Sequence, residues 1–371
     1  ARAKSQRALE HKTGGSKKSK VKGIPKLDDA NWAGGLRSQK CTLILTEGDS
    51  AKSLAIAGLS VIGRDKYGVF PLKGKLLNVR DASNSSVIGN AEVQNITKIM
   101  GLKIGTTYTD TSPLRYGHIM IMTDQDHDGS HIKGLVINFL HHFWPSLLKI
   151  PNFLQVFITP IVKCTRQQET QVFYTTPEFD LWQQAATREP WHIKYYKGLG
   201  TSSAKEAKEY FHNLSRHLIP FEVLRSNNLI DMCFNKTRVA DRKQWISAYT
   251  AGTFMNFDVS EMKYDDFVNH EYVIMAVQSN LRAIPHVMDG LKPSQRKILF
   301  ACLKRKLHSE IKVAQLAGYT SEHAAYHHGE ASLNGAIVGM AQNYVGSNNI
   351  NILTPNGQFG TRLMGGKDAA S

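Results

Sequence analysis

Residues 118–129 read HIMIMTDQDHDG, and no other stretch limits the fold so tightly. The five apolar or β-branched residues between His118 and Asp124 predict a buried strand, too short for a stable lone helix. The strand runs straight into three aspartates at alternate positions, closed by Gly129. If the backbone stays extended, Asp124, Asp126 and Asp128 point the same way and their carboxylates crowd one spot. Like charges that close raise one another's pKa unless a cation neutralises them, and an all-oxygen set suits Mg²⁺ or Ca²⁺ rather than Zn²⁺. Other fates compete with this one. In a calcium loop of the EF-hand type, counting from Asp124, the ninth and twelfth positions would be Ile132 and Leu135, both poor ligands. A solvated acidic turn and a set of salt-bridge partners are the remaining alternatives.

The salt-bridge alternative has weight because the chain is basic. Lys and Arg number 46 against 31 Asp and Glu, a formal charge of +15 and a pI near 9.5. That excess points to a polyanionic partner, nucleic acid first and an anionic membrane surface second. The 371 residues allow two domains or three. Cys41, Cys164, Cys233 and Cys302 lie far apart, which suggests neither a disulfide framework nor a zinc ribbon and fits a reducing compartment. No apolar run reaches ~18 residues, so no transmembrane helix is expected, and the polar start is no signal peptide.

Residues 1–10 suggest the end of a helix, and the lysine-rich 12–26 a flexible connector able to touch a nucleic-acid backbone or to serve as a nuclear-localisation patch. Residues 41–46 predict a second buried strand, ending in Glu47-Gly48-Asp49-Ser50, where Asp49 or Ser50 caps a helix over 51–59. Two adjacent parallel strands would bring Glu47 to the three aspartates, because open α/β sheets place ligand sites at the carboxyl ends of strands. Lys73, Lys75 and Arg80 are spaced along an otherwise apolar stretch and suit phosphate contact. Helices are expected over 91–100 and 135–148, then β-rich segments and an aromatic helix over 153–195. A strand and Gly turn follow through Lys197, Gly198 and Gly200, leading to a helix over 203–214. That turn could bind an anion or be a plain left-handed turn. Beyond a looser stretch near 235–263, basic helix 293–307, a short helix at 312–317, a longer one at 331–343 and a hairpin near 350–362 predict a winged helix-turn-helix. His323 and His327, four apart, lack the acid of an H-E-x-x-H zinc motif; His327 and His328 suit phosphate contact better.

Seven motifs occur in order: EGDSA at Glu47, PLKGK at Pro71, TDQDHDGSHIKG at Thr123, YYKGLGT at Tyr195, DGLKPSQRK at Asp289, AYHHGE at Ala325 and GQFGTR…GGKDAA at Gly357. Together they resemble the DNA-breakage core of eukaryotic type IIA DNA topoisomerases over nearly the whole chain. The resemblance implies an α/β fold: a basic linker (1–38) and a Rossmann-like, mainly parallel TOPRIM domain with a β-rich insertion (39–235). A connector (236–266) and a partial α+β winged-helix domain (267–371) would follow. It implies Glu47, Asp124, Asp126 and Asp128 as ligands of one or two Mg²⁺, which Mn²⁺ or Ca²⁺ may replace, and catalytic roles for Glu47, His328 and Arg362. DNA contacts are implied for Lys73, Lys75, Asn78, Arg80, Lys197, Lys292, Arg296, Lys297, His327, His328, Ser332 and Arg362. The family mechanism joins a tyrosine hydroxyl to a 5′ phosphate of double-stranded DNA, in a nuclear homodimer that uses ATP bound in another domain. In the family pattern that tyrosine falls just beyond Ser371, so these residues alone are expected not to cleave. Rival expectations are another TOPRIM nuclease or primase, and a DNA-binding module whose acids hold a structural ion.

Overall fold

The computed structural model describes residues 15–17, 20–185, 191–196, 198–326, 329–348 and 350–370. They form two compact units, 1–276 and 277–371.

The first unit is built on a five-stranded sheet. In chain order its elements are β1 (Thr42–Glu47), α1 (Gly48–Ile62), β2 (Tyr67–Leu72), α2 (Ala91–Met100), β3 (His118–Met122), α3 (His127–Phe143) and β4 (Leu154–Phe157). After them come β5 (Val162–Arg166), β6 (Glu169–Phe173), α4 (Thr176–Ala185), β7 (His192–Tyr195), α5 (Ala204–His212) and β8 (Leu218–Pro220). The main sheet has the order β2-β1-β3-β4-β8, parallel except for the antiparallel edge strand β8. Strand alternation sorts its side chains onto two faces. Leu43, Leu45, Ile119 and Ile121 join the core under α2 and α3; Ile44, Met120 and Met122 join the core under α1 and α5. Both faces are covered, so the strands are apolar throughout, and each of these buried side chains contributes about 1.5–3 kcal/mol. On the α1–α5 side the helices touch closely: a Cβ on Gly58 would lie 2.1 Å from a ring carbon of Phe211.

Neither long edge of the main sheet is left bare. Asp28 makes an isolated antiparallel bridge to Val69 of β2, and Phe221, just past β8, bridges to Met262. The segment before β1 is pinned at Asp29, which accepts hydrogen bonds from the buried Arg115 and from Tyr116. The expected β-rich insertion is a separate three-stranded antiparallel sheet, β6-β5-β7, with its own core of Val162, Cys164, Phe173 and Phe179. Met255, Met262, Tyr264 and Phe267 belong to the main core.

The second unit contains α6 (Pro293–Lys304), α7 (Val313–His323) and α8 (Glu330–Ala341). They pack through Ile298, Leu316, Leu333 and Ile337. The three expected helices are present, with α7 longer than its sequence suggested. The hairpin near 350–362 is not: among the described residues no strand follows α8. A hairpin needs one face to bury, and Ile350 is 83 % exposed. Instead Ile352 N–H and Leu353 N–H donate to Met340 O, and the Asn351 side chain donates to Leu353 O. Short polar side chains here satisfy the backbone locally in place of a ladder.

Candidate metal and nucleic-acid site

Pairing of β1 with β3 in parallel register sets Glu47 beside the residues that follow Met122. Glu47 Oε2 accepts a hydrogen bond of 3.2 Å from Asp124 N–H. Burial, then the charges of Asp124 and Asp126, push the Glu47 carboxyl up to about 7. Asp128 adds a smaller push. Asp124 is raised as well, chiefly by burial. The four acids are therefore close enough to feel one another, as the two strand tips predicted.

The aspartates do not continue an extended strand. β3 stops at Met122; Asp126 is the N-cap of α3, its Oδ1 accepting from Gly129 N–H at 2.8 Å, and Asp128 lies in the first helical turn. The D-x-D-x-D-G spacing breaks the strand because an aspartate three residues before a helical N–H caps it. Each carboxylate is turned to a different donor. Asp124 Oδ1 accepts from Leu199 N–H at 2.7 Å, and Asp128 accepts from Lys75 Nζ at 2.9 Å. Part of the salt-bridge alternative is thus present. Among the described residues no three His, Cys, Asp or Glu side chains converge tightly enough to enclose a metal ion.

Two contacts here were not foreseen. Gly198 is extended, and a Cβ on it would lie 2.4 Å from Asp124 Oδ2. Glycine is needed for that close approach rather than for a left-handed turn, and the anion at the Gly-Leu-Gly segment is Asp124 itself. Gly129 is equally confined, its Cβ position 2.0 Å from Asp124 O. The YYKGLGT motif is fastened in turn by Glu206, which accepts from Lys194 Nζ, Tyr196 Oη and Ser203 N–H. Burial raises the Glu206 carboxyl, but these donors win and hold it down at about 2. The short motif in the sequence was the available signal for all of this.

The basic residues divide. Lys73 is exposed. Arg80 is built into the fold: its side chain is 14 % exposed and reaches Asn138 Oδ1, Asp231 Oδ1 and His141 Nδ1. Asn78 donates to Phe234 O and accepts from Asn138. In the second unit Lys292 is exposed at the start of α6, Arg296 forms a two-pronged pair with Asp289, and Lys297 Nζ donates to Ala325 O. Ser332 Oγ accepts from Tyr326 Oη at 3.4 Å, and Arg362 is exposed. His323 packs on the Tyr319 ring, with centroids 4.1 Å apart. Lys197, His327 and His328 lie outside the described residues.

Three family models match in succession: the Toprim domain over 42–161, the C-terminal associated domain of TOPRIM over 157–280, and the DNA gyrase/topoisomerase IV A-subunit family over 282–371. The chain is 59 % identical over 375 residues to the probable DNA topoisomerase 2 of Dictyostelium discoideum, covering 100 % of this chain and 24 % of that protein. The chain is homologous to a segment of the type II DNA topoisomerases. It is 54 % identical to DNA topoisomerase 2 of Saccharomyces cerevisiae, with 100 % of this chain and 26 % of that protein covered. It spans about a quarter of the length of these curated relatives. The crystal structure of the Plasmodium falciparum topoisomerase II DNA-binding, cleavage and re-ligation domain superposes with a TM-score of 0.82 at 54 % identity, covering 95 % of this chain and 49 % of that one. The chain is thus homologous to the DNA-binding, cleavage and religation region of type II topoisomerases, and the α/β expectation with a mainly parallel sheet is met.

Proposed function

We propose that this segment supplies the DNA-breakage chemistry of a dimeric, ATP-dependent nuclear type II topoisomerase acting on double-stranded DNA. The observation that carries the reading is the junction of Glu47, Asp124, Asp126 and Asp128 at two neighbouring parallel strand ends, with Glu47 pushed up to about 7 by burial and by those aspartates. The donor set is all oxygen, and a hard divalent cation would relieve the crowding, so the residues fit Mg²⁺, with Mn²⁺ or Ca²⁺ as substitutes. Glu47, Asp124, Asp126 and Asp128 are the candidate ligands. When bound, the cation supplies charge neutralisation at the scissile phosphate and the leaving 3′ oxygen.

The chain's own residues supply the rest. Leu199 N–H and Gly198 orient Asp124; Gly129 N–H orients Asp126. A tyrosine hydroxyl, its proton passing to solvent, attacks phosphorus, and the leaving 3′ oxygen takes up a proton from water; Glu47 would act as a carboxylate ligand, ionised once a cation is bound. The P–O3′ bond breaks and a 5′-phosphotyrosyl link forms; reversal by the 3′ hydroxyl reseals the strand. Lys73, Lys292, Arg362 and the family-motif residues Lys197, His327 and His328 are the candidates for gripping backbone phosphates. Asn78 and Arg80, whose polar groups are engaged inside the fold, would act by holding their loop in place for such a grip.

The Lys75–Asp128 pair, which commits one carboxylate to a partner within the fold, favours one competing reading, a DNA-binding module with a structural ion. To separate them, full-length protein is incubated with end-labelled duplex DNA and Mg²⁺, and detergent traps covalent complexes. Linkage to 5′ ends that vanishes on Asp126→Ala is the expected result. Duplex binding without any adduct would leave the binding module.

A further inference from the structure

Helix α3 begins at the acidic loop, and its buried flank is tied to a different helix by charge. Lys133 is 1 % exposed and donates to Glu271 Oε1 at 2.6 Å; Ser130 Oγ donates to the same oxygen at 2.8 Å. Both donors also reach the loop. Ser130 Oγ lies 3.0 Å from Asp126 O, and Lys133 Nζ lies 3.5 Å from Gln125 Oε1. Glu271 belongs to a π-helical turn, Phe267–Tyr272, between helical Tyr264–Asp266 and Val273–Ala283; Val273 N–H donates five residues back to Val268 O. This turn presses on α3 so closely that a Cβ on Gly134 would lie 2.4 Å from the Tyr272 ring.

We infer that Lys133 and Glu271, with Ser130, are positioning residues: they set where α3 starts and so hold Gln125, Asp126 and Asp128 for the divalent cation. The inference rests on the metal-dependent function proposed above. A buried ion pair is a poor source of stability, because an apolar pair of similar volume is often as stable or more so. This one is also imperfectly satisfied, since among the described residues the buried Glu271 Oε2 finds no hydrogen-bond donor. What the pair supplies is direction. Its two donors span one helical turn of α3 and both end on the residues just before Asp128. The π turn, an unusual conformation that recurs at functional sites, brings the carboxylate to them.

The test uses the 371-residue chain with Mn²⁺ as probe, free ion being counted by electron paramagnetic resonance while thermal unfolding is followed in parallel. Replacing both partners by Lys133→Met with Glu271→Met removes the charges together and avoids a lone buried ion. The double variant is expected to unfold within a few degrees of the wild type yet to bind Mn²⁺ about 10-fold more weakly, the usual size of an effect acting through a ligand's neighbours. A folded double variant with wild-type Mn²⁺ affinity would overturn the assignment. Ser130→Ala keeps the question open to refutation should the double variant not fold: a roughly threefold loss of affinity is expected in this milder change, and no loss counts against the assignment. Wild-type chain that binds no Mn²⁺ at this site would sink the metal reading itself, and the inference with it.

Discussion

The carboxyl end of the main sheet and the start of α6 in the second unit carry the same residue types and are built to opposite rules. At the sheet, Arg80, Asn78 and the acids are each committed to a named partner within the fold. At α6, Lys292 is exposed and the Arg296 side chain is half exposed in its pair with Asp289. Burial and multiple hydrogen bonds fix direction, which bond-making chemistry requires. Exposure leaves charge mobile, which is enough for an electrostatic hold on a phosphate backbone. A basic residue in a motif is therefore evidence of a role but not of which role; its exposure decides.

The comparison breaks most visibly at the acids. Glu47→Ala or Asp126→Ala in the full-length protein should abolish Mg²⁺-dependent cleavage, a loss of at least ~100-fold, while duplex affinity changes little. Affinity falling in parallel with cleavage would mean that the sheet end grips as well as cuts. Next comes Arg80→Ala, expected to cost about 1–3 kcal/mol because buried Asn138 and His141 each lose a partner, while Asp231 keeps Arg238 and Asn235. Urea unfolding measures this, and an unchanged midpoint would place Arg80 among the free cations after all.

Glu206 sharpens the same contrast through pH. Its folded pKa, about 2, lies below the ordinary 4.5, so its stabilisation is present above pH 4.5 and is lost as pH falls from there toward 2. Wild type should lose about 2–3 kcal/mol more over that interval than Glu206→Gln; identical acid limbs in denaturant titrations would remove the carboxylate from the anchoring of Gly198 and Leu199. The smallest effect belongs to Lys292→Ala, for which stability should stay within ~0.5 kcal/mol while the slope of log affinity against log salt falls by about 1. A salt slope equal to wild type would take Lys292 off the backbone.

Much of this was legible because it is periodic or local. Apolar runs ending in Glu47 and before Asp124 fixed two neighbouring strands and their shared end, and α2 runs over the span its amphipathic pattern predicted. What the sequence hid depends on partners far along the chain. Asp126 had two local options, strand or cap, and Gly129 N–H decided between them. Arg80 read as a phosphate contact, and its partners Asn138, His141 and Asp231 come from elsewhere in the chain. Glu271 gave no signal at all, since only the packing of its turn on α3 explains a buried carboxylate there. The missing hairpin shows the converse: Ile350 and Ile352 alternate as a strand would, but both stay largely exposed, at 83 % and 45 %.

The bridge from Asp28 to Val69 has a consequence for handling the protein. A sheet edge with unpaired amides is a template on which a second molecule can add a strand. Here a few residues before β1, held by Asp29 to Arg115 and Tyr116, occupy that template. Trimming the chain to begin at Ser38 would leave Glu47 and the three aspartates untouched but uncover β2. The trimmed protein should self-associate in light scattering at concentrations where the longer one does not. The segment ahead of the sheet then serves as its guard against aggregation, whatever else it connects to.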